Sequence, residues 1–252
     1  AMNISSLDVR AGACSRCDIR DRAVCGAMSM EELVALRRIS HTRKFDAGST
    51  ILVAEEPATF FANVVSGVVK LNQVSSDGRQ QIVGLLFPSD FLGRAFVRSN
   101  PYFAQAATDV VACVYRYDSF EKLLRDHPAL EHRLFERTLN DLDAARDWMF
   151  VLGRKKAREK VASFLHLIAS RYAASDAGCK EDPSETNHAR FTLPLSRSDI
   201  ADFLGLTIET VSRQLTHLKN DGVIHLLSTH DILVPDLRRL EGGSQGKHQA
   251  VA

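Results

Sequence analysis

Residues 196–218 read SRSDIADFLGLTIETVSRQLTHL. Ser196 is a favoured helix N-cap and Asp199 falls at the third helical position, so a short capped helix is expected to start here. Ile200, Phe203 and Leu204 share its inner face, and Gly205 supplies the turn that ends it. Thr207 caps a second helix whose buried stripe is Val211, Leu215 and Leu218. Ala201, four residues before Gly205, is small enough to let the two helices cross closely, as a helix-turn-helix requires. The segment VIHLLSTHDILVPD (223–236) then gives two short strands around a Ser228-Thr229 turn, the expected wing.

The outer face of the second helix carries Glu209, Ser212 and Arg213 at offsets of three and four. All three project from the N-terminal half, the part that enters a DNA major groove. Arg213 can present its planar fork to guanine O6 and N7, Glu209 can accept from a cytosine amino group, and Ser212 suits a thymine or adenine edge. A carboxylate facing DNA is otherwise repelled by phosphate. Glu209 is therefore either a base reader or an i,i+4 partner of Arg213 on a solvated face. Arg197, Thr207, Thr216, His217 and Lys219 are the candidate phosphate neighbours.

Upstream, 173–190 is a polar linker with Cys179 in it, and Pro128 opens one long helix expected to run to Tyr172. On that helix Phe135, Thr138, Leu142, Ala145, Met149 and Leu152 follow 3,4 spacing. They form a seam for a partner helix or for the protein's own barrel, with Asp141, Asp143 and Asp147 on or beside it. Further back, 29–43 reads as a helix with a Ser29/Glu32 capping box. Between Phe45 and Phe120, short β-branched and aromatic runs (50–53, 60–65, 68–74, 81–87, 110–117) alternate with turn signals, giving an antiparallel barrel or jelly roll. A short helix is expected over 118–128. The fold class is α+β. Its parts are a Cys-rich leader (1–28), a β-roll of the cyclic-nucleotide-binding kind (29–127), a dimerisation helix (128–172), the linker, a winged helix-turn-helix (191–240) and a tail (241–252).

Composition narrows the function. The chain has 252 residues, 45% apolar and 25% charged, which excludes wholesale disorder. It has no apolar run near the roughly 18 residues of a spanning helix, and its start, AMNISSLDVR, lacks a secretion-signal layout, so a cytoplasmic location is expected. Ala1 before Met2 reads as an expression scar. With 32 basic and 31 acidic side chains the net charge is +1, so DNA contact must come from local clustering. No nucleophile-base pair or phosphate-cradling glycine loop appears, so no enzyme is expected.

Of five cysteines, Cys14, Cys17 and Cys25 form C-x2-C-x7-C, and Cys113 stands alone on the last barrel strand. Three thiols on a short loop and one distant thiol suit zinc or an iron-sulphur cluster, and spacing leaves both open. Cys179 is read as a free thiol.

Barrel, seam helix and winged helix, in that order, resemble the CRP/FNR superfamily of bacterial transcription regulators from about 45 to 235. The stretch ETVSR, Glu209 to Arg213, is similar to the recognition-helix signature of the FNR branch. The resemblance implies a homodimer that binds two-fold-symmetric, double-stranded DNA sites with TTGAT-type halves. It assigns Glu209 to cytosine, Arg213 to guanine and Ser212 to the outer A/T positions, and it makes RNA polymerase a partner of an activator. It also implies an oxygen-labile [4Fe-4S] cluster held by Cys14, Cys17, Cys25 and Cys113, although the seven-residue gap is longer than in the best-known members. Cluster loss would then loosen the leader and weaken the dimer.

No cyclic nucleotide is expected. Where binders carry an acid and an Arg-Ser pair, this chain has Phe91 and Phe103-Ala104, and Arg98-Ser99 falls several residues early. The competing reading keeps the fold but gives the barrel another effector and the cysteines structural zinc.

Overall fold

The computed structural model describes residues 12–175 and 188–241. Cys179, most of the linker and nearly all of the tail lie outside them. The chain divides into two compact units, Ala1–Ala145 and Arg146–Ala252.

In the first unit, short 3-10 turns at Gly12–Cys14 and Val24–Ala27 lead to helix α1 (Met30–Ile39). Its start carries the capping box: the Ser29 side chain accepts from the Glu32 backbone N–H, and the Glu32 carboxylate accepts from the Ser29 backbone N–H at 2.7 Å. Eight strands follow: β1 (Ser40–Phe45), β2 (Thr50–Leu52), β3 (Phe60–Ser66), β4 (Val69–Val74), β5 (Gln80–Leu86), β6 (Phe91–Leu92), β7 (Phe103–Ala106) and β8 (Val110–Arg116). They form two four-stranded antiparallel sheets, ordered β1-β8-β3-β6 and β2-β7-β4-β5, the expected jelly-roll arrangement. Helix α2 (Tyr117–Asp126) follows, and α3 (Pro128–Arg154) carries the chain across the division between the units.

Two apolar cores share the β1-β8-β3 sheet. One face of β8, with Val110, Ala112 and Val114, joins Phe45, Ile51, Ala62, Val64 and Val69 inside the roll. The alternating face, with Cys113 and Tyr115, packs with Phe61, Tyr117 and Phe120 against α1, α2 and the leader residues Ile19, Ala23, Val24, Cys25 and Met28. A one-residue alternation thus assigns Cys113 to the leader side of the sheet.

One turn of the roll requires glycine. Gly67, between β3 and β4, has φ +83°, and an added Cβ would run into the Asp109 carbonyl oxygen. Because that oxygen is backbone, no rotamer change relieves the clash. Gly67→Ala is expected to cost at least about 2 kcal/mol, from left-handed strain plus overlap, read as a lower denaturation midpoint at unchanged slope.

The second unit packs α4 (Ala157–Ser175) through Val161, Phe164, Leu165 and Ile168. Phe164 meets Phe203 edge-on at 5.8 Å, and Trp148 meets Phe203 at 4.7 Å. The remaining elements are β9 (Ala189–Thr192), α5 (Arg197–Leu204), α6 (Ile208–Asn220), β10 (His225–Leu226), β11 (Asp231–Val234) and the short α7 (Arg238–Glu241), with sheet order β10-β11-β9. No helix among the described residues is long and apolar enough to cross a membrane.

Three expectations are corrected. The first helix ends at Ile39, not Arg43, because SHTRKF pairs antiparallel with β8 from Ser40↔Tyr115 to Phe45↔Val110. Six residues of sheet ladder outweigh a further helical turn. The single helix expected over 128–172 is two, α3 and α4. After Gly153, a weak helix former, the Glu159 carboxylate accepts from the Lys156 backbone N–H at 2.7 Å and caps a new start. Strands β6 and β7 were not read from sequence, since two to four residues carry too little alternation.

Candidate functional site

The helix pair forms as its caps dictate. Ser196 and Asp199 make a capping box on α5, Gly205 takes φ +60° at its C-cap, and the Thr207 side chain accepts from the Thr210 backbone N–H at 3.2 Å. The Leu206 N–H reaches the Ala201 carbonyl at 3.0 Å, which closes the turn over that small residue. Ile200, Ala201, Phe203 and Leu204 of α5 and Val211, Leu215 and Leu218 of α6 are buried.

This burial leaves Glu209, Ser212 and Arg213 exposed together on the first turns of α6, with Thr216, His217 and Lys219 exposed further along. Glu209 and Arg213 do not form an ion pair among the described residues, so Arg213 is not held by an i,i+4 carboxylate. Instead the Glu209 carboxyl is held below its ordinary value by its own backbone N–H and by the Thr207 hydroxyl. It is therefore ionised, an acceptor only, near neutral pH.

Among the candidate phosphate neighbours, Arg197 also has a contact within the protein. It is half-buried, donates from Nη2 to the Thr229 carbonyl at 3.0 Å and lacks a partner at Nη1, so it ties α5 to the wing turn. In that turn the Asp231 carboxylate accepts from Thr192 at 2.6 Å and from Ser228 at 2.9 Å. Thr207 is exposed but occupied as a cap.

The four cysteines named from sequence come together on the outer face of β8. Cys25 is buried, Cys14, Cys17 and Cys113 are partly buried, and all four are free thiols in one apolar cluster. Burial, then the neighbouring Cys17, Cys113 and Cys14, pushes the Cys25 thiol up to about 12. Burial also raises Cys14, against the pull of Arg37, and Cys113, against a hydrogen bond from Tyr115. Such a pocket resists four negative thiolates unless a cation sits among them. Among the described residues no three His, Cys, Asp or Glu side chains are spaced to hold a single metal ion.

One arginine joins this pocket's loop to α3. Arg137 donates to the Arg22 carbonyl of the leader at 3.0 Å and pairs with the buried Asp90 carboxylate of the roll. Asp90 in turn accepts from the Phe87 N–H at 2.9 Å. Nothing in the local sequence signals Arg137, because its partners lie 115 and 47 residues away.

On α3 the large exposed apolar side chains are Phe135, Leu139 and Leu142 in the first unit and Met149 and Phe150 in the second. At 100° per residue these fall on one stripe, with Thr138, Ala145 and Leu152 on its shoulder. Leu139 and Phe150 lie off the strict 3,4 series from Phe135 to Leu152, so spacing alone does not signal them. Asp141, Asp143 and Asp147 are exposed.

At the stretch where a cyclic nucleotide would sit, Phe91 packs on Phe61 and Phe120, each at 5.6 Å. Ala104 is fully buried, and Arg98 is paired with Asp118 while lying 4.7 Å over the Tyr117 ring.

Comparison with known proteins adds the family. The Crp-like helix-turn-helix domain matches residues 159–242 and the cyclic nucleotide-binding domain matches residues 42–127. The chain is similar to a probable transcriptional activator of Rhizobium leguminosarum bv. viciae, 47% identical over 91% of this chain and 92% of that one. It is also similar to the transcriptional activator protein FnrL of Cereibacter sphaeroides, 46% identical over 90% of each. Among solved structures, FixK2 from Bradyrhizobium japonicum matches with a TM-score of 0.70 and 31% identity, over 81% of this chain and 97% of that chain.

Proposed function

We propose that this chain, which belongs to the CRP/FNR family of transcription regulators, senses oxygen through its four-cysteine pocket and passes that state to a homodimer on DNA. It is a DNA-binding transcriptional activator of the FNR/FixK group and not an enzyme. The observation that carries the oxygen reading is the meeting of Cys14, Cys17, Cys25 and Cys113 on one face of β8.

The donor set fits a [4Fe-4S] cluster. Four thiols gathered in one largely buried apolar cluster are the donor chemistry such a core takes. When bound, the cluster supplies a positively charged, oxygen-labile centre for the four thiolates. The protein's own residues do the rest. Ile19, Ala23, Val24 and Met28 seat the leader against α1, α2 and β8, and Arg137 holds the leader carbonyl of Arg22 and the roll's Asp90 from α3. A leader that loosens releases one end of that arginine on the helix that presents the apolar stripe.

Two copies paired through Phe135, Leu139, Leu142, Met149 and Phe150 would set two recognition helices one DNA turn apart on a site with TTGAT-type halves. Glu209, Ser212 and Arg213 read bases there; Thr216 and Lys219 face phosphates; RNA polymerase is the partner at promoters. Phe91, Ala104 and the Arg98–Asp118 pair support a roll that works without a cyclic nucleotide.

Iron, acid-labile sulphide and zinc analysis of anaerobically prepared protein tests the sensor. Near-equal iron and sulphide is expected, and zinc without sulphide overturns it. The seam has its own test. Leu142→Asp places a charge in the middle of the stripe at an exposed position, so folding is spared. The anaerobic protein is expected to sediment as a monomer, and an unchanged dimer would place the interface elsewhere.

A further inference from the structure

Behind Cys113 lies a polar pair that no part of the DNA-binding or seam argument uses. Asn63 and Tyr115 are both 1% exposed, in a region otherwise walled by Phe61, Tyr117 and Phe120. Asn63 is the register partner of Cys113 across the β3–β8 ladder, while Tyr115 stands two residues beyond Cys113 on the same face of β8. Asn63 Nδ2 donates to Tyr115 Oη at 2.9 Å. The tyrosine side chain must therefore run back along the sheet to the level of Cys113. Its ring is fixed there by Phe120, stacked with centroids 5.0 Å apart.

A phenol whose oxygen already accepts from an amide has one O–H left to donate. The β3–β8 register sets the Cys113 sulphur beside that hydroxyl, and Tyr115 is the neighbour that most opposes the effect of burial on the Cys113 thiol. Ser40, the other hydroxyl beside Cys113, donates to the Arg37 carbonyl at 3.3 Å. Ser40 acts on the Cys113 thiol in the same direction but less than Tyr115 does.

We propose that Tyr115, braced by Asn63, is a positioning residue for the sensor: its O–H donates to Cys113 Sγ, fixes that ligand's orientation and slows loss of the cluster to oxygen. The inference rests on the [4Fe-4S] reading above. Hydrogen bonds to ligand sulphurs draw electron density from the metal core and make it harder to oxidise, and residues that hold a metal ligand from behind commonly change binding 10-fold or more.

The experiment uses full-length parent, Tyr115→Phe and Asn63→Leu, each reconstituted without oxygen. Iron and sulphide per chain, resonance Raman Fe–S stretches in H2O and D2O, and the half-life of the visible absorption after mixing with air-saturated buffer are measured. Tyr115→Phe keeps the ring and its stacking. It is expected to load as the parent does, to lose a deuterium-sensitive component of the Fe–S stretch, and to lose its absorption about 10-fold faster. Asn63→Leu, which keeps the hydroxyl but removes its brace, is expected to decay at an intermediate rate, and it carries the test if Tyr115→Phe does not fold. Parental isotope sensitivity and parental half-life in the variants overturn the inference alone; they would mean that the amide is turned over and Tyr115 donates to Asn63 Oδ1. A parent that takes up no sulphide overturns the cluster reading and this inference with it.

Discussion

Arg213→Ala is expected to abolish selective DNA binding while leaving the fold and the general attraction to DNA intact. The guanidinium is exposed on α6, off the Val211/Leu215/Leu218 face, so its removal touches no core contact. A bidentate arginine–guanine pair is worth about 1–3 kcal/mol of discrimination. Two copies on a two-fold site double this to about 2–6 kcal/mol, or from a few tens-fold to about 10⁴-fold in affinity. Titration of anaerobic protein onto a duplex with two TTGAT-type halves, beside a scrambled duplex of equal length, reads the effect. The specific duplex should fall to the level of the scrambled one. If both duplexes weaken equally and the salt dependence shallows by about one phosphate per subunit, Arg213 holds the backbone instead. Arg213→Lys separates charge from shape: it keeps the cation, loses the planar fork, and is expected to behave like the alanine variant on the specific site.

Cys113→Ser is the second large effect. Serine preserves the size of the side chain on β8 but replaces the thiolate that an iron core needs with a poor ligand. The anaerobic variant is expected to hold no stable visible chromophore. Its affinity for the specific duplex should sit where the air-exposed parent sits, lower than the anaerobic parent by about 5- to 150-fold, the usual range of a coupling between two sites. Four titrations decide it, with parent and variant each measured with and without oxygen. Equal affinity in all four would reject oxygen gating and leave the helix pair as a constitutive DNA binder. Matching thermal melts for the variant and the air-exposed parent exclude unfolding as the cause, since the thiol is only partly buried.

Arg137 gives these two results a common route. It touches the leader that carries three of the cysteines and the roll's Asp90, and it is itself part of α3. In the proposed mechanism, losing the leader end of this arginine would bias the packing of α3, the helix that carries the exposed apolar stripe.

The elements read correctly from sequence are those whose signals lie within one or two turns of chain. Ser196 with Asp199, Gly205 and Thr207 specify the helix pair because a cap acts on N–H groups three residues away, and the inward stripes follow from helical periodicity alone. The exposed Glu209, Ser212 and Arg213 are the complement of that stripe. The alternating runs of the roll and the Ser29/Glu32 box belong to the same class. What sequence could not supply depends on partners far along the chain. SHTRKF became a strand because β8 was there to pair with it, and Arg197 turned to the wing because Thr229 comes within reach only after folding. The reach of Tyr115 to Asn63 spans 52 residues and depends on the β3–β8 register, which no local pattern encodes. Short-range hydrogen bonding and periodicity are written in neighbouring residues, whereas the facing of one side chain by another across a sheet is set by register and pleat. Those are properties of the folded whole.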